Sequence, residues 1–403
     1  MKFARQVAAP VFYFAFAVLA MMLCLLKPMH NWDMIGYIAA AKSFEENDIQ
    51  ALHRFTFDQL RKSVSEKEYE ALASPGGEDA HTVFRRTMSR DFIAFGELLQ
   101  GYQIRPVYTA SVYLLYSLGV NIAYATHLVS GFAVATGILF LYLLSSSFLS
   151  RPLVYVVPPL SIIYGVLDLA RYSTPDGLAF CAVVISAYLL LKRRETLLLL
   201  LLPILIGIRT DLILFVGPFC GLLVLEDRPR RWLIATSGLA SIIIYAAIAY
   251  HWSNVGWATT FYFVFVHVVA RPVSSAPALT AYDYFDALVH GVKGLPRNRE
   301  FMLYTIVAAY SLFLIRLKGA NASVLSGITS HSSILAIVSV IYVGSHFILF
   351  PAMLDRYFAG QYLTGTLALL LMASEIEPRR YLAARQDQSQ QEIHGKQFRD
   401  IQR

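Results

Sequence analysis

Apolar residues fall in long runs near 9–27, 121–148, 153–170, 177–191, 196–208, 212–225, 232–250, 301–315, 332–350 and 358–374. Such runs predict helices, and a helix needs roughly 20 apolar residues to cross a hydrocarbon core. The pattern therefore predicts an all-α, polytopic transmembrane helix bundle of about ten spans. Several runs are short for a full crossing. The stretch 196–225 reads as two crossings, or as one hairpin tipped by Arg209-Thr210-Asp211; the charge pattern favours two. The first run follows Lys2 and Arg5. It is long and no small-x-small cleavage site follows, so it is expected to stay as a first helix.

Polar segments separate the runs unequally. The largest, 28–120, predicts a helical outer loop directly after the first span, with helical stretches at 40–53, 58–73 and 80–100 and a break at Pro75-Gly76-Gly77. Its end, 107–118, is apolar and tyrosine-rich, as interfacial segments are. In 251–300, residues 261–269 are apolar and aromatic and 282–290 amphipathic; both suit an interfacial or re-entrant position. The chain thus divides into a transmembrane domain, 1–374, and a polar tail, 375–403, expected to be solvated.

Cations cluster on alternate connections: Lys2 and Arg5, Arg151, Lys192 to Arg194, Arg228 to Arg231, Arg316 and Lys318, and Arg379-Arg380. Assigning these to the cytoplasm obeys the positive-inside rule and makes both termini cytoplasmic. The loop 28–120, the tips near 171–176, 209–211 and 355–356, and the segment 251–300 then face the opposite side. The sequon Asn321-Ala322-Ser323 falls on the cytoplasmic side, away from glycosylation.

Composition agrees: 57% of residues are hydrophobic and 15% charged, against about 25% charged in soluble domains. The net charge of +7 lies in the topogenic clusters, so nucleic acid is a poor partner and the membrane the expected one. Cys24, Cys181 and Cys220 sit inside apolar runs and read as packing residues.

Five polar constellations sit at the outer tips. Asp33, in Asn31-Trp32-Asp33, reads as a proton acceptor or as the cap of the helix that follows. Tyr102 and Arg105, in Tyr102-Gln103-Ile104-Arg105-Pro106, read as a phosphate grip or as interfacial anchors. Asp168 and Arg171 are spaced to pair on one helix face, and Asp176 follows Pro175, where it would cap the next span. Arg209 beside Asp211, and Arg356 beside Asp355 and Tyr357, read as balancing a lipid phosphate or as local ion pairs and anchors. There is no P-loop, Gly-rich dinucleotide fingerprint, HExxH, CxxC or Asp-x-Asp, and the ten histidines show no ligand spacing. No cofactor or metal site is implied; the requirement for a divalent metal stays open. Phosphate chemistry would rest on arginines.

In this order and sidedness, Asp33, Arg105-Pro106-Val107-Tyr108, Arg171 to Asp176 and Arg356-Tyr357 resemble the GT-C superfamily of lipid-linked-sugar glycosyltransferases. Within it they look most like bacterial enzymes related to protein O-mannosyltransferases and aminoarabinose transferases. The resemblance covers most of 1–374. It implies a polyprenyl-phosphate sugar donor, a lipid, glycan or protein acceptor, and a bacterial inner-membrane enzyme working on the periplasmic side. It implies Asp33 as the catalytic base, Arg356, Arg105, Arg209 and Arg171 as candidates for the donor phosphate, and Asp176, Tyr102 and Tyr357 as substrate contacts. The first motif carries one acid where some relatives have two, and the chain is shorter than many relatives, so the acceptor does not carry over. Two other readings stand beside this one. A transporter or flippase of a lipid-linked or anionic solute would show repeats and polar broken helices near the midplane. A surface-glycan polymerase or ligase would carry its large outer loop later in the chain.

Overall fold

The computed structural model describes residues 2–226, 230–275, 277–317, 330–354 and 356–373. The sequon, Asp355 and the tail from 375 lie outside the described residues. Among those described there is no strand; Met29 and Tyr172 form one isolated parallel bridge. The helices are α1 (Lys2–Leu26), α2 (Trp32–Lys42), α3 (Ile49–Ser63), α4 (Glu66–Ala73), α5 (Ala80–Arg90), α6 (Phe92–Gln103), α7 (Pro106–Ser117), α8 (Ile122–Phe148), α9 (Arg151–Ile163) and α10 (Val166–Arg171). They continue as α11 (Asp176–Leu191), α12 (Glu195–Ile208), α13 (Ile213–Glu226), α14 (Arg231–His251), α15 (Trp257–Phe261), α16 (Ala281–Gly294), α17 (Arg299–Leu317), α18 (His331–Leu349) and α19 (356–373).

Each apolar run forms a helix, except that 153–170 forms two. Its interruption is Gly165, at φ +74, whose N–H bonds back to Ile162 O at 3.0 Å as α9 closes. A left-handed residue there ends a helix, and glycine takes it without strain. Among the described residues, four helices are long and apolar enough to cross a membrane: Ala8–Leu26 within α1, then α8, α14 and α18. The protein is therefore an all-helical membrane-type chain. The helices α9, α11 and α12 are apolar but shorter. At 1.5 Å per residue, a 14-residue helix such as α12 rises about 21 Å, less than the ~30 Å hydrocarbon core.

The loop 28–120 folds as α2–α7, with boundaries that differ from those read off its composition. The stretch 40–53 is split because α2 stops at Lys42 and Asp48 caps α3, accepting from Gln50 N at 2.9 Å. The stretch 58–73 is split by Ser65, whose capping box with Glu68 starts α4. The stretch 80–100 breaks at Asp91, which caps α6 through the N–H groups of Ile93 and Ala94. Each break thus sits at a polar side chain that satisfies orphan N–H groups of the next helix. The loop has its own core, including Ile38, Leu60, Phe95 and Tyr108, closed against the first half of α8 at Ile122 and Ala125. The other half of α8 joins the main core with α1, α9–α13, α18 and α19. Helix α7 is held on one face, with Tyr108 and Val112 fully buried, and leaves Leu114 and, just beyond its end, Leu118 exposed.

Two contacts fix where polar side chains land. Gly177, second in α11, lies so close to α8 that an added Cβ would meet Ser130 O at 2.9 Å, which seats the N-terminus of α11 against α8. The residues after α15 dock onto the loop. Arg271 pairs with Asp91 at 2.7 Å, the Val273 N–H and the Ser274 hydroxyl donate to Glu97, and Phe263 packs on Phe84.

A layered ion-pair cluster as candidate functional site

Asn31, not Asp33, caps α2: its side-chain oxygen accepts from Met34 N at 3.3 Å and its other face takes the Ser173 hydroxyl at 2.7 Å. Asp33 is thereby free of capping duty. Its Oδ2 receives Arg356 Nη1 at 2.7 Å, across 323 residues of chain, and its Oδ1 receives the Tyr102 hydroxyl at 3.2 Å. Burial and the neighbouring Asp33 carboxylate hold the Tyr102 phenol well above its usual pKa, so it stays a donor to that carboxylate.

Asp176 is not a cap either. It is the first residue of α11, and Oδ2 accepts the Thr174 hydroxyl at 2.8 Å. Oδ1 receives Arg209 Nη1 at 2.8 Å, and Arg356 Nε lies 3.7 Å from Oδ2. Arg209, at the end of α12, grips Asp211 with two nitrogens, at 3.1 and 2.6 Å. Asp211 also accepts the Tyr342 hydroxyl at 2.8 Å and has His346 Nε2 at 3.5 Å. Tyr357 lies between both arginines, its ring 5.1 Å from the Arg356 guanidinium carbon and 4.7 Å from that of Arg209. These are cation–π distances.

The result is a row that runs Tyr102, Asp33, Arg356, Asp176, Arg209, Asp211. Exposure is lowest at Asp176 and Arg209 and rises again at Asp211, which is 25% exposed. The side chains of Asp33 and Arg356 are 26% and 24% exposed, those of Asp176 and Arg209 only 3% and 5%. The buried Asp176–Arg209 pair braces the Asp33–Arg356 pair, since Asp176 touches both arginines.

Arg105 stands beside this row at the start of α7. It donates to Gly101 O at 2.6 Å and sits 5.9 Å over the Tyr37 ring, and among the described residues it makes no ion pair with a carboxylate. Arg171 is elsewhere. It pairs with Asp168 at 3.0 Å, as the spacing foretold, and its Nε donates to Lys27 O at 2.9 Å. With the Met29–Tyr172 bridge, it ties the end of α1 to the turn before α11. It belongs to the scaffold that positions Asn31 and Asp176, not to the row.

Tyr342 and His346 carry no motif and escape a sequence reading. A Tyr and a His four apart on an apolar helix would be the only signal, and it has no specificity. Both rings are buried, and His346 Nδ1 has no hydrogen-bond partner.

Gly36 makes the row testable. An added Cβ would lie 2.4 Å from the Tyr102 ring, so Gly36→Ala must move Tyr102 off Asp33. Overpacking of this kind typically costs 1–3 kcal/mol. The expected result is a lower unfolding temperature that Tyr102→Ala in the same chain restores; no change in the single variant would refute the contact. No family model, curated protein or solved structure matches the chain.

Proposed function

We propose that this chain is a membrane glycosyltransferase of the GT-C type, moving a sugar from a polyprenyl-phosphate donor to an acceptor hydroxyl at the outer face of a bacterial inner membrane. The observation that carries the reading is the 2.7 Å pairing of Asp33 with Arg356, backed by the buried Asp176–Arg209 pair and flanked by Arg105. The shorter apolar helices complete a bundle of about ten spans, fitted by local thinning of the bilayer and snorkelling flanks, with the row at its outer mouth and both termini in the cytoplasm.

In the donor-free protein Asp33 neutralises Arg356. The donor phosphate, a stronger bidentate anion, takes Arg356 and draws in Arg105. Asp33 is then released, with Tyr102 and Asn31 holding its orientation. The acceptor oxygen attacks the anomeric carbon and forms the new C–O bond. The bond from that carbon to the phosphate oxygen breaks, and its electron pair leaves as polyprenyl phosphate. The acceptor proton passes to Asp33. A phosphate leaves as a stable anion, so the leaving side needs cations rather than a general acid. Arg209 stays on Asp176 and Asp211 and acts as a positioning residue.

Reconstitution in liposomes with a polyprenyl-phosphate sugar tests the reading by transfer to a hydroxyl acceptor. Arg105→Gln provides the internal check. Losing one charge-assisted contact is worth about 1.5–3 kcal/mol, so the donor KM should rise ~10–100-fold while the fold is untouched. An unchanged donor KM removes Arg105 from the phosphate.

A further inference from the structure

The far end of the bundle carries a second polar site. Helix α11 begins at Asp176 and α12 ends beside Arg209, so their other ends lie one helix length away, about 24 Å at 1.5 Å per residue. There the turn between them, with the ends of α13, α14 and α18, encloses a cavity of about 380 Å³. Its polar lining is Arg193, Glu195, Glu226, Arg230 and His331; its floor is Leu199, Leu223 and Ile234. Glu195 pairs with Arg230, and Glu226 lies 3.3 Å from His331 Nε2, a partner that carries charge only when protonated. The Arg193 side chain makes no ion pair or hydrogen bond among the described residues.

The Arg193 backbone sharpens this. It lies at φ +56, in the left-handed region, while its N–H closes α11 on Leu190 O at 2.9 Å. Glycine is the unstrained residue at such a helix end. An arginine there bears strain and places an unmatched cation on the cavity. Outside the cavity, Leu197 and Leu200 on α12, Leu225 on α13 and Leu233 on α14 are exposed apolar side chains at the same end. One cation over a small polar cavity with an apolar flank is the complement of a phosphodiester bearing alkyl chains.

We propose that this cavity binds the headgroup of an anionic phospholipid, with its phosphodiester on Arg193 and its acyl chains along the exposed leucines. The proposal is independent of the sugar-transfer reading. Its probe is dihexanoyl phosphatidylglycerol added to the full chain in a neutral detergent, read as a rise in unfolding temperature. Saturable stabilisation is expected, with none from dihexanoyl phosphatidylcholine. Arg193→Gly should keep or raise the lipid-free unfolding temperature, because glycine relieves the turn, and weaken the lipid response at least tenfold. Arg193→Gln, which keeps the bulk of the side chain, should weaken it likewise. A wild-type response in both variants, or equal stabilisation by the choline lipid, overturns the site. Glycerol 3-phosphate acting as well as the lipid overturns the lipid assignment in favour of a soluble phosphate ester.

Discussion

Asp33→Asn should lower sugar transfer by about 10³-fold, near the middle of the range for loss of a general base, with donor affinity unchanged or tighter. The split follows from the geometry. Asparagine has the same volume and still accepts the Tyr102 hydroxyl, but takes no proton from the acceptor. It also no longer competes with the donor phosphate for Arg356, which in the donor-free state sits 2.7 Å from Asp33. The fold should survive. The pair is about a quarter exposed on each side, and ion pairs that reach solvent contribute only about 0–1 kcal/mol. Transfer kinetics in proteoliposomes, with donor concentration varied and expression matched, read both quantities. Full activity would take Asp33 out of the reaction. A loss confined to donor KM would make it a binding residue.

The largest stability effect is expected at Arg209→Leu. The guanidinium is 5% exposed and balances two carboxylates, Asp176 at 2.8 Å and Asp211 at 2.6 Å. Removing it leaves uncompensated charge in the interior, which typically costs 3–5 kcal/mol. Neutralising the partners as well, in Asp176→Asn/Arg209→Leu/Asp211→Asn, should recover most of that loss, since an apolar replacement of a whole buried network is often close to neutral. Denaturant unfolding in detergent, followed by circular dichroism, distinguishes the variants. A wild-type midpoint for Arg209→Leu would mean that the inner layer does not support the outer one. A triple variant as unstable as the single would trace the loss to packing, not charge.

Much of the fold was legible along the chain because lipid and backbone chemistry constrain it tightly. A run of apolar residues in a membrane has to satisfy its own N–H and C=O groups, so 121–148 or 332–350 has almost no choice but helix. The loop 28–120 was less legible. Its helices are delimited by Ser65, Asp48 and Asp91, whose capping works over three residues and is easily lost in a polar stretch.

The site was legible as a set of residues but not as a set of partners. Sequence spacing paired Asp168 with Arg171 correctly, because both lie on one helix turn. The same local logic offered Asp33 and Asp176 as helix caps, and each instead reaches across the fold to an arginine on another segment. It also offered Arg356, Arg105, Arg209 and Arg171 together as candidates for one phosphate. Helix packing separated them into a cation with no carboxylate partner among the described residues, a scaffold clamp, a buried positioning group and a partly exposed pair.

By itself the sequence determined that this chain is helical, apolar enough for a membrane, and polar at the connections between its apolar runs, since these follow from composition and short-range spacing. Only the tertiary structure decided which charge neutralises which, and that Tyr342 and His346 stand behind Asp211. Coulomb interactions depend on distance through space, and distances between residues 323 positions apart are set by how helices such as α8 and α11 pack, not by the order of letters.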